Sequence, residues 1–457
     1  MTLEHGPDKR KKTVFPWRLL LGLALVVMLV MSGLVLSRLY ESEMPRLILD
    51  EEISRLGLNN EIKFSAVDEG RGLQAVEVLL RQGSLEVELL AQSFPRQGWL
   101  QAGPASFDEV IAVAPRELAL ADGQVELVLR AEDYSWRNWL AGNHREKVLP
   151  LLIDTRPPVI DIGAATSYLR PGGSGLVHYT LNEEVGRHGV LINGFFHPGF
   201  PHSPERPGKF IAYIALPHDA QAINEAQVIA EDLAGNRARA GLILNLRRTN
   251  FPSDRIDISD NFLKTKMPEF AAVYPGMSGS YLEQFLFVNR EVRALSNRQI
   301  MEICRSTHPG RLWDGAFLRM ARSSQLGGFG DQRSYFFADR QIDEQVHLGL
   351  DLASVRQADI QAANHGIVVF VDYLGIYGNT VIIDHGQGVF SLYAHLSRFT
   401  VAVGDPVNRG DILGSSGVSG LAGGDHLHFS MMVNGVFVTP FEWFDRSWVL
   451  QQLTPRP

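Results

Sequence analysis

An uncharged apolar run at residues 19–36 constrains this chain more than any other feature of its sequence. A run of this length can cross a bilayer as one helix. It follows the basic segment DKRKKTVFPWR, and basic flanks favour the cytoplasmic side. We therefore predict a cytoplasmic tail at residues 1–18 and a transmembrane anchor at residues 19–39. The protein would be a single-pass protein of the inner (cytoplasmic) membrane, with the bulk of the chain periplasmic or otherwise extracytoplasmic.

Two alternatives to an anchor are less compatible with the same residues. A cleaved signal peptide would have a shorter apolar run, followed by a clean A-x-A cleavage site, which this sequence lacks. A buried core helix would not carry such a basic flank.

Length, charge and cysteine content exclude several classes of protein. A chain of 457 residues forms more than one domain. Cys304 is the single cysteine, so the exported part is held together by its cores rather than by an intramolecular disulfide. The net charge of -8 provides no basic footprint, and no nucleic-acid partner is expected.

An internal sequence repeat predicts two related β units before residue 250. The tripeptide Ala-Glu-Asp occurs at 131–133 and again at 230–232, an interval of about a hundred residues, the size of an immunoglobulin-like sandwich. Short apolar runs broken by Gly, Pro and Asn are typical of strands. The junction DTRPP and the turn EDLAGN resemble those of bacterial immunoglobulin-like domains. We predict unit 1 at residues 45–155 and unit 2 at residues 156–248.

The two units are expected to act as a stalk, with contacts to other cell-envelope proteins as the alternative. Three histidines fall in unit 2 without an acidic or cysteine partner at metal-binding spacing: His188, His197 and His202. We expect surface positions for them.

The character of the sequence changes twice after residue 250. Residues 281–306 have mostly helical spacing interrupted near Ser296, which predicts two helices. Residues 250–330 are expected to be a helical linker that covers a groove, or that simply packs on the last domain. Residues 341–445 read as all-β, with short apolar runs separated by glycines. His365 and His385 each precede a glycine, so we expect solvent-facing turns.

The last domain contains a candidate metal site. In the run GGDHLHFS, His426 and His428 lie two residues apart, so on a strand they share one face. His347 and Asp351 lie upstream, and a set of His, Asp and His suits a catalytic zinc with an open fourth position. The pair could share one metal, or one histidine could bind metal while the other handles protons. Two surface histidines are the alternative for the pair alone.

The same region resembles the M23, or lysostaphin/LytM-like, peptidoglycan metallopeptidases over about the last quarter of the chain. The resemblance rests on an ordered series of motifs: FGDQRSYFF (329–337), HLGLD (347–351), YGNTVIIDHGQGVFSLYAH (377–395), VGDPVNRGDILGSSG (403–417) and HLHF (426–429). It implies an M23 peptidase domain at residues 331–446, folded as an antiparallel β-sandwich or barrel. The chain as a whole is therefore expected to be mostly β.

The resemblance also implies roles for individual residues. His347, Asp351 and His428 would be the ligands of one Zn²⁺ per chain, and His395 and His426 would be the catalytic pair. The approach to the last motif, GSSGVSGLAGGDHLH, is longer than the family's usual one, which affects the rim of the groove.

These observations predict a zinc-dependent endopeptidase that hydrolyses peptide crosslinks of peptidoglycan by metal-activated water. Its partners would be peptidoglycan as substrate and the membrane through the N-terminal helix. The alternative is a non-catalytic wall-binding or amidase-activating protein of the LytM type. A third reading, an adaptor with a lipoyl-type barrel, leaves the motif histidines without a purpose.

Overall fold

The computed structural model describes residues 17–203, 205 and 207–453. The predicted cytoplasmic tail lies outside the described residues except for its last two positions. The mostly-β prediction is confirmed, since the described chain contains far more strands than helices. The chain divides into two compact units, and residues up to 156 belong to the first.

The first unit joins one long helix to two β-sheets. Its elements are α1 (Trp17–Leu39), β1 (Arg46–Leu49), β2 (Arg55–Leu56), β3 (Asn60–Val67), β4 (Leu73–Gln82), β5 (Leu85–Ser93), β6 (Ser106–Val113), β7 (Gly123–Asp133), the single turn α2 (Arg137–Leu140) and β8 (His144–Ile153). Among the described residues, α1 alone is long and apolar enough to cross a membrane, with 23 residues and a mean hydropathy of 2.8.

The two sheets of this unit pack face to face. Their strand orders are β1-β3-β6 and β2-β8-β7-β4-β5. Side chains alternate along each strand, so every second residue of β3 is buried, as at Ile62, Phe64 and Ala66. These residues share a core with β4 and β7, as expected for a β-sandwich.

The second unit begins with another pair of sheets, ordered β14-β15-β11-β9 and β13-β12-β16-β17. The elements are β9 (Ile160–Ala165), β10 (Tyr168–Leu169), β11 (Ser174–Leu181), β12 (Val185–Ile192), β13 (Phe195–Pro198), β14 (Phe200–Pro201), β15 (Lys209–Ala215), β16 (Ala226–Asp232), β17 (Arg237–Gly241) and β18 (Asn245–Leu246).

The predicted surface position of His197 is wrong. This residue lies on β13 and its exposed fraction is 0%. Its Nδ1 is 3.1 Å from the amide nitrogen of Asn434, which follows a strand of the last domain. Burial lowers the pKa of His197 to about 3, so the ring is neutral. A proline and a glycine after it suggested a loop, but pairing of β13 with β12 carries the histidine into the interior.

A helical segment follows, with β19 (Ser253–Asp257), α3 (Asp260–Val273), α4 (Tyr281–Phe287), a π-helical turn (Val288–Val292) and α5 (Arg293–Ile303). The predicted interruption near Ser296 is wrong, because the helix widens at the π turn instead. Ser296 stays helical and its hydroxyl donates to the carbonyl of Val292 at 2.7 Å.

The remaining elements form the C-terminal β structure. They are β20 (Ser324–Gly327), β21 (Gln332–Phe337), β22 (Arg340–Val346), β23 (Leu350–Ala353), β24 (Asp359–Gln361), β25 (Gly366–Tyr373), a 3-10 turn (Gly375–Tyr377), β26 (Asn379–Asp384), β27 (Val389–Ala394), β28 (Arg398–Phe399), β29 (Pro406–Val407), β30 (Ile412–Ser415), β31 (Leu427–Val433), β32 (Val436–Val438), α6 (Pro440–Phe444), α7 (Arg446–Trp448) and a π-helical turn (Val449–Leu453).

One large sheet organises this part of the chain, with strand order β20-β23-β31-β27-β26-β25-β29. Its apolar residues are continuous with those of the helical segment and of β15, so one buried core runs through most of the second unit. The predicted boundaries at residues 248 and 330 remain predictions. The sheet places β23, β31 and β27 side by side, and the candidate metal site lies on these strands.

Candidate metal centre

Strand register brings the predicted ligands together. Asp351 on β23 pairs directly with His428 on β31, and Ala394 on β27 pairs with the other side of His428. Directly opposed residues of neighbouring strands project from the same face of a sheet. His395 follows Ala394 at once, and His347 precedes β23, so all five predicted site residues gather at one place.

Three side-chain atoms converge at the centre of this group. The distances from His347 Nε2 to Asp351 Oδ1, from His347 Nε2 to His428 Nδ1 and from His428 Nδ1 to Asp351 Oδ1 are each 3.0 Å. The exposed fractions of these residues are 4%, 7% and 5%, so bulk water hardly reaches them.

The hydrogen bonds on the far sides of the two rings fix which nitrogen carries a proton. His347 Nδ1–H donates to the carbonyl of Gly328 at 2.7 Å. The hydroxyl of Ser430 donates to the carbonyl of Leu348 at 2.8 Å, so its oxygen accepts from His428 Nε2–H at 3.0 Å. In the neutral rings, the two nitrogens that face the centre therefore carry lone pairs.

Asp351 adds a negative charge to the same point. Burial alone would raise the pKa of this carboxyl, but the surrounding imidazoles, His347 above all, hold it well below its usual range. With both rings neutral, three electron pairs face one another at 3.0 Å, an arrangement that a cation among them would stabilise. A proton can bridge two of the atoms, whereas a metal ion can bind all three.

The donor set fits zinc. Two imidazole nitrogens and one carboxylate oxygen form a ligand set known from catalytic zinc sites with a fourth position left open. In a tetrahedral site with bonds of 2.0–2.1 Å the ligand atoms lie roughly 3.3 Å apart. The observed separation of 3.0 Å requires only a small expansion.

Arg333 holds the carboxylate in place. Its Nη2 donates to Asp351 Oδ2 at 2.7 Å, and both side chains are largely buried, with exposed fractions of 18% and 11%. The other oxygen, Oδ1, is thereby turned towards the two imidazoles. A Cβ on Gly327 would lie 2.2 Å from Arg333 Nη2, so only glycine leaves room for this ion pair.

Gly349 serves the site through close approach. In the sequence it lies between His347 and Asp351. A Cβ there would lie 2.5 Å from Nε2 of His428 and 2.6 Å from the hydroxyl of Ser430. Any larger residue would displace the hydrogen bond that orients His428.

His395 and His426 line the same cluster. Their ring centroids are 4.8 Å apart, and His426 Nε2 is 3.4 Å from Asp351 Oδ1. The Nδ1–H of His395 donates to the carbonyl of Ser419 at 2.9 Å, and that of His426 donates to the carbonyl of Gly424 at 2.8 Å. Both rings therefore keep Nε2 for the groove.

The two rings differ in electrostatic environment. Burial lowers the pKa of His395 well below its usual value, and the neighbouring His426 and His428 lower it further. Burial also acts to lower the pKa of His426, but its hydrogen bond to Asp351 and the carboxylate charge outweigh burial and raise it. The carboxylate of Asp351 therefore separates the two rings, because it raises the pKa of His426 whereas burial lowers that of His395.

A loop at residues 416–425, which we call the rim loop, carries the carbonyls that orient both rings. The hydroxyl of Ser416 donates to Asp425 Oδ1 at 2.5 Å, and the backbone N–H of Gln357 donates to Asp425 Oδ2 at 3.1 Å. Asp425 closes the rim loop at its base. His395 itself adopts a left-handed backbone with φ of 61°.

The site opens into a cavity of about 750 Å³. One wall comes from β19 and α3 of the helical segment, and the opposite wall comes from the rim loop. Lys266 on α3 spans the two, because its Nζ donates to the carbonyl of Val418 and pairs with Glu269 at 3.0 Å.

Sequence reasoning missed some residues that matter here and misplaced another. Arg333 and Ser430 were not identified, because their roles depend on contacts between distant strands. The predicted solvent exposure of His385 is wrong, since its exposed fraction is 0%. Its Nδ1–H donates to the carbonyl of His365 at 2.6 Å, and burial lowers its pKa to about 4. A glycine turn follows it, but the ring points inward.

Arg333→Met tests the ion pair with Asp351. We expect zinc affinity to fall by about tenfold to a hundredfold, because the ligand carboxylate loses the partner that orients it. Competition titration against a chromogenic chelator measures this. Arg340→Met, at the exposed start of β22, is the matched control. Equal affinities in the two variants would contradict the role given to Arg333.

Asp425→Ala tests the fastening of the rim loop. Loss of hydrogen bonds to a charged group, each worth about 1.5–3 kcal/mol, should speed amide hydrogen exchange at residues 416–425 by roughly tenfold to a hundredfold. Zinc affinity should stay unchanged. Asp405→Ala is the control, since Asp405 accepts from the N–H of Ala402 at 2.8 Å on a separate exposed turn. Unaltered exchange in the rim loop would overturn this interpretation.

Comparison with known proteins identifies the domain that carries this site. Residues 345–440 match peptidase family M23, and the predicted resemblance is confirmed there. The chain is 40% identical over 96 residues to the DD-carboxypeptidase/endopeptidase Mpg of Neisseria meningitidis serogroup B, a stretch that is 21% of this chain and 22% of that protein.

Two further relatives differ in what their names describe. The peptidoglycan DD-endopeptidase ShyC of Vibrio cholerae serotype O1 is 34% identical over 96 residues, or 21% of this chain and 22% of its own length. The murein hydrolase activator EnvC of Escherichia coli K12 is 27% identical over 168 residues, or 34% of this chain and 39% of its own length. The chain thus spans 22% of the length of Mpg, the first of these relatives.

Proposed function

We propose that this chain, which carries an M23 peptidase domain, is a membrane-anchored zinc endopeptidase that hydrolyses peptide crosslinks of peptidoglycan outside the cytoplasm. The observation that supports this most directly is the convergence of His347, Asp351 and His428 at 3.0 Å, with two further histidines on the same cavity. The names of Mpg and ShyC support the same reaction class.

In this proposal each site residue has one task. His347, Asp351 and His428 would hold the zinc, which when bound supplies a Lewis acid that polarises the peptide carbonyl and acidifies water. His395 and His426 present Nε2 to the cavity, so one can accept a proton from water and the other can donate one to the oxyanion or the leaving amine. The carbonyls of Ser419 and Gly424 keep both rings in the orientation that this transfer needs.

The helix α1 supports a location of this reaction outside the cytoplasm. Its length and hydropathy suit a single membrane span, and the basic segment before it favours an N-terminus in the cytoplasm. The M23 domain, at the opposite end of the chain, would then act in the periplasm, where peptidoglycan lies.

A second candidate is a protein that binds the wall or activates another hydrolase without catalysis. The likeness to EnvC, named a murein hydrolase activator, favours this alternative. The complete set of ligand and proton-transfer histidines favours catalysis. The atoms His347 Nε2, Asp351 Oδ1 and His428 Nδ1 form what we call the lone-pair triangle. A protein that only activates a partner does not need such a triangle.

Variants of the two histidines on β31 and beside it separate the roles. His428→Ala should lose zinc and activity together. His426→Ala should keep one zinc per chain and lose turnover by about 10²–10⁴-fold, the usual contribution of general acid–base catalysis. Full-length protein in nanodiscs, incubated with sacculi, is assayed by mass analysis of released muropeptides and by metal analysis.

The controls for this experiment are a chelator and an exposed histidine. Removal of zinc should abolish muropeptide release, and re-addition should restore it. His144→Ala, in the first unit, should behave as wild type because its side chain is 52% exposed. Stoichiometric zinc in His428→Ala would refute the ligand assignment. Zinc-loaded wild type without muropeptide release would favour the activator.

We also propose that the helical segment at residues 250–330 restricts access to the groove. Lys266 has an exposed fraction of 5%, and its contact with the carbonyl of Val418 ties α3 to the rim loop. A crosslinked wall strand is much larger than a short peptide, so this tie should hinder the strand more.

Lys266→Ala tests the restriction. We expect faster release from sacculi, on the order of tenfold if about 1.4 kcal/mol holds the groove closed. Cleavage of a short crosslinked peptide should change little. Lys264→Ala, an exposed lysine on the same helix, is the matched control. If Lys266→Ala and Lys264→Ala release muropeptides at the same rate, α3 does not restrict the groove.

A further inference from the structure

The first unit is attached directly to the end of α1. The backbone N–H of Trp136 donates to the carbonyl of Leu39, the last residue of the helix, at 2.8 Å. The Leu39 side chain is 2% exposed, and the ring of Tyr40 packs edge-on against Trp136 with centroids 5.9 Å apart. The unit therefore begins within one residue of the point where the apolar helix ends.

The chain just beyond the helix is fixed to the same unit. Glu41 accepts from the backbone N–H of Arg71 at 2.7 Å, and its carbonyl accepts from the hydroxyl of Ser135 at 3.0 Å. Arg38, in the last turn of α1, donates to the carbonyl of Glu69 at 3.3 Å. These contacts leave no free linker between the helix and the sandwich.

Two loops of the unit meet at this end, and we call them the juxtamembrane loops. They are residues 94–105, between β5 and β6, and residues 134–143, between β7 and β8. Trp99 of the first loop packs on Trp136 of the second, with ring centroids 6.2 Å apart. Asp133 closes the second loop, because its carboxylate accepts from the backbone N–H groups of Ser135 and Asn143.

The tips of both loops expose large apolar side chains. The exposed fractions are 70% for Trp99, 49% for Leu100, 101% for Trp139 and 66% for Leu140. Scattered apolar residues are ordinary on a protein surface, but two exposed Trp-Leu pairs, on two loops that meet at the end of an apolar helix, are a concentration of apolar surface of the kind that marks an interaction site.

The backbone of the second loop is strained in a way that exposes these side chains. Asn138, Trp139 and Leu140 have φ of 50°, 58° and 72°, all in the left-handed region. Non-glycine residues rarely adopt this region, and bulky ones such as Trp and Leu do so least readily. The hydrogen bonds of Asp133 at the base of the loop maintain this conformation. As a result, the side chain of Trp139 is fully exposed.

We propose that the juxtamembrane loops insert into the interfacial layer of the same membrane that α1 spans. Tryptophan is favoured at the level of lipid headgroups, because its ring is apolar and its N–H is polar. Arg96 and Arg137 are exposed in the same two loops, and their guanidinium groups suit lipid phosphates. The membrane surface thereby sets the tilt of the first unit.

The inference rests on the proposed membrane anchor. An experiment in nanodiscs tests the insertion of the loops by fluorescence and the anchor by co-purification. Leu140→Cys in the full chain is labelled with an environment-sensitive fluorophore. Cys304, the chain's one native cysteine, is 4% exposed and stays unlabelled. Lipids that carry a nitroxide at the headgroup level then act as quenchers. Co-purification of the chain with nanodiscs reports on α1 alone.

Leu85→Cys is the matched control, because Leu85 is an exposed leucine at the opposite end of β5. The two ends of β5 lie about 27 Å apart at roughly 3.3 Å per residue. We expect at least a severalfold stronger quenching at position 140 than at position 85. Equal quenching at both positions, or none at position 140 in a chain that co-purifies with nanodiscs, would overturn the proposal. The second outcome would leave a protein partner as the occupant of these loops.

Discussion

The convergence of three lone pairs at one buried point is the constraint on which the C-terminal domain depends. His347, Asp351 and His428 approach within 3.0 Å of one another, and when both rings are neutral the three central atoms carry lone pairs and no proton. Groups that lie outside the triangle maintain it, since Gly328 and Ser430 fix the tautomers and Arg333 fixes the carboxylate. The folded domain thus holds three unprotonated ligand atoms together, and a divalent cation bound among them would stabilise the domain.

The groove around this point combines parts from distant stretches of the sequence. Sheet register supplies the floor, whereas α3 and the rim loop supply the walls. The rim loop has a second task, because its carbonyls orient His395 and His426. A change in the rim that altered substrate preference would therefore also disturb proton transfer, unless the fastening at Asp425 were kept.

Local patterns in the sequence predicted the fold class and, through period-two spacing, the shared face of His426 and His428. The set of five site residues was implied by the resemblance to the M23 family. Local patterns gave wrong positions for side chains whose burial depends on contacts with distant parts of the sequence. His385 and His197 precede glycine or proline and suggested turns, yet both rings are buried. Pairing of β13 with β12 carries His197 inward, whereas His385 follows the end of β26 and donates to the carbonyl of His365. Arg333 and Ser430 have no local signal, because each acts on a residue of another strand. The π turn at Val288–Val292 was missed because it adds one residue to a helical turn, and its residue types do not differ from those of an ordinary α-helix.

A folded chain normally pairs its buried polar groups and covers its large apolar ones, so departures from both rules indicate what the chain binds. The lone-pair triangle of His347, Asp351 and His428 is a buried departure, and it could hold a cation. The tips of the juxtamembrane loops are an exposed departure, with Trp139 wholly outside the fold and held there by a left-handed backbone. Folding alone gives no reason for either arrangement. Each would be stabilised by a partner, a metal ion for the first and a lipid surface for the second.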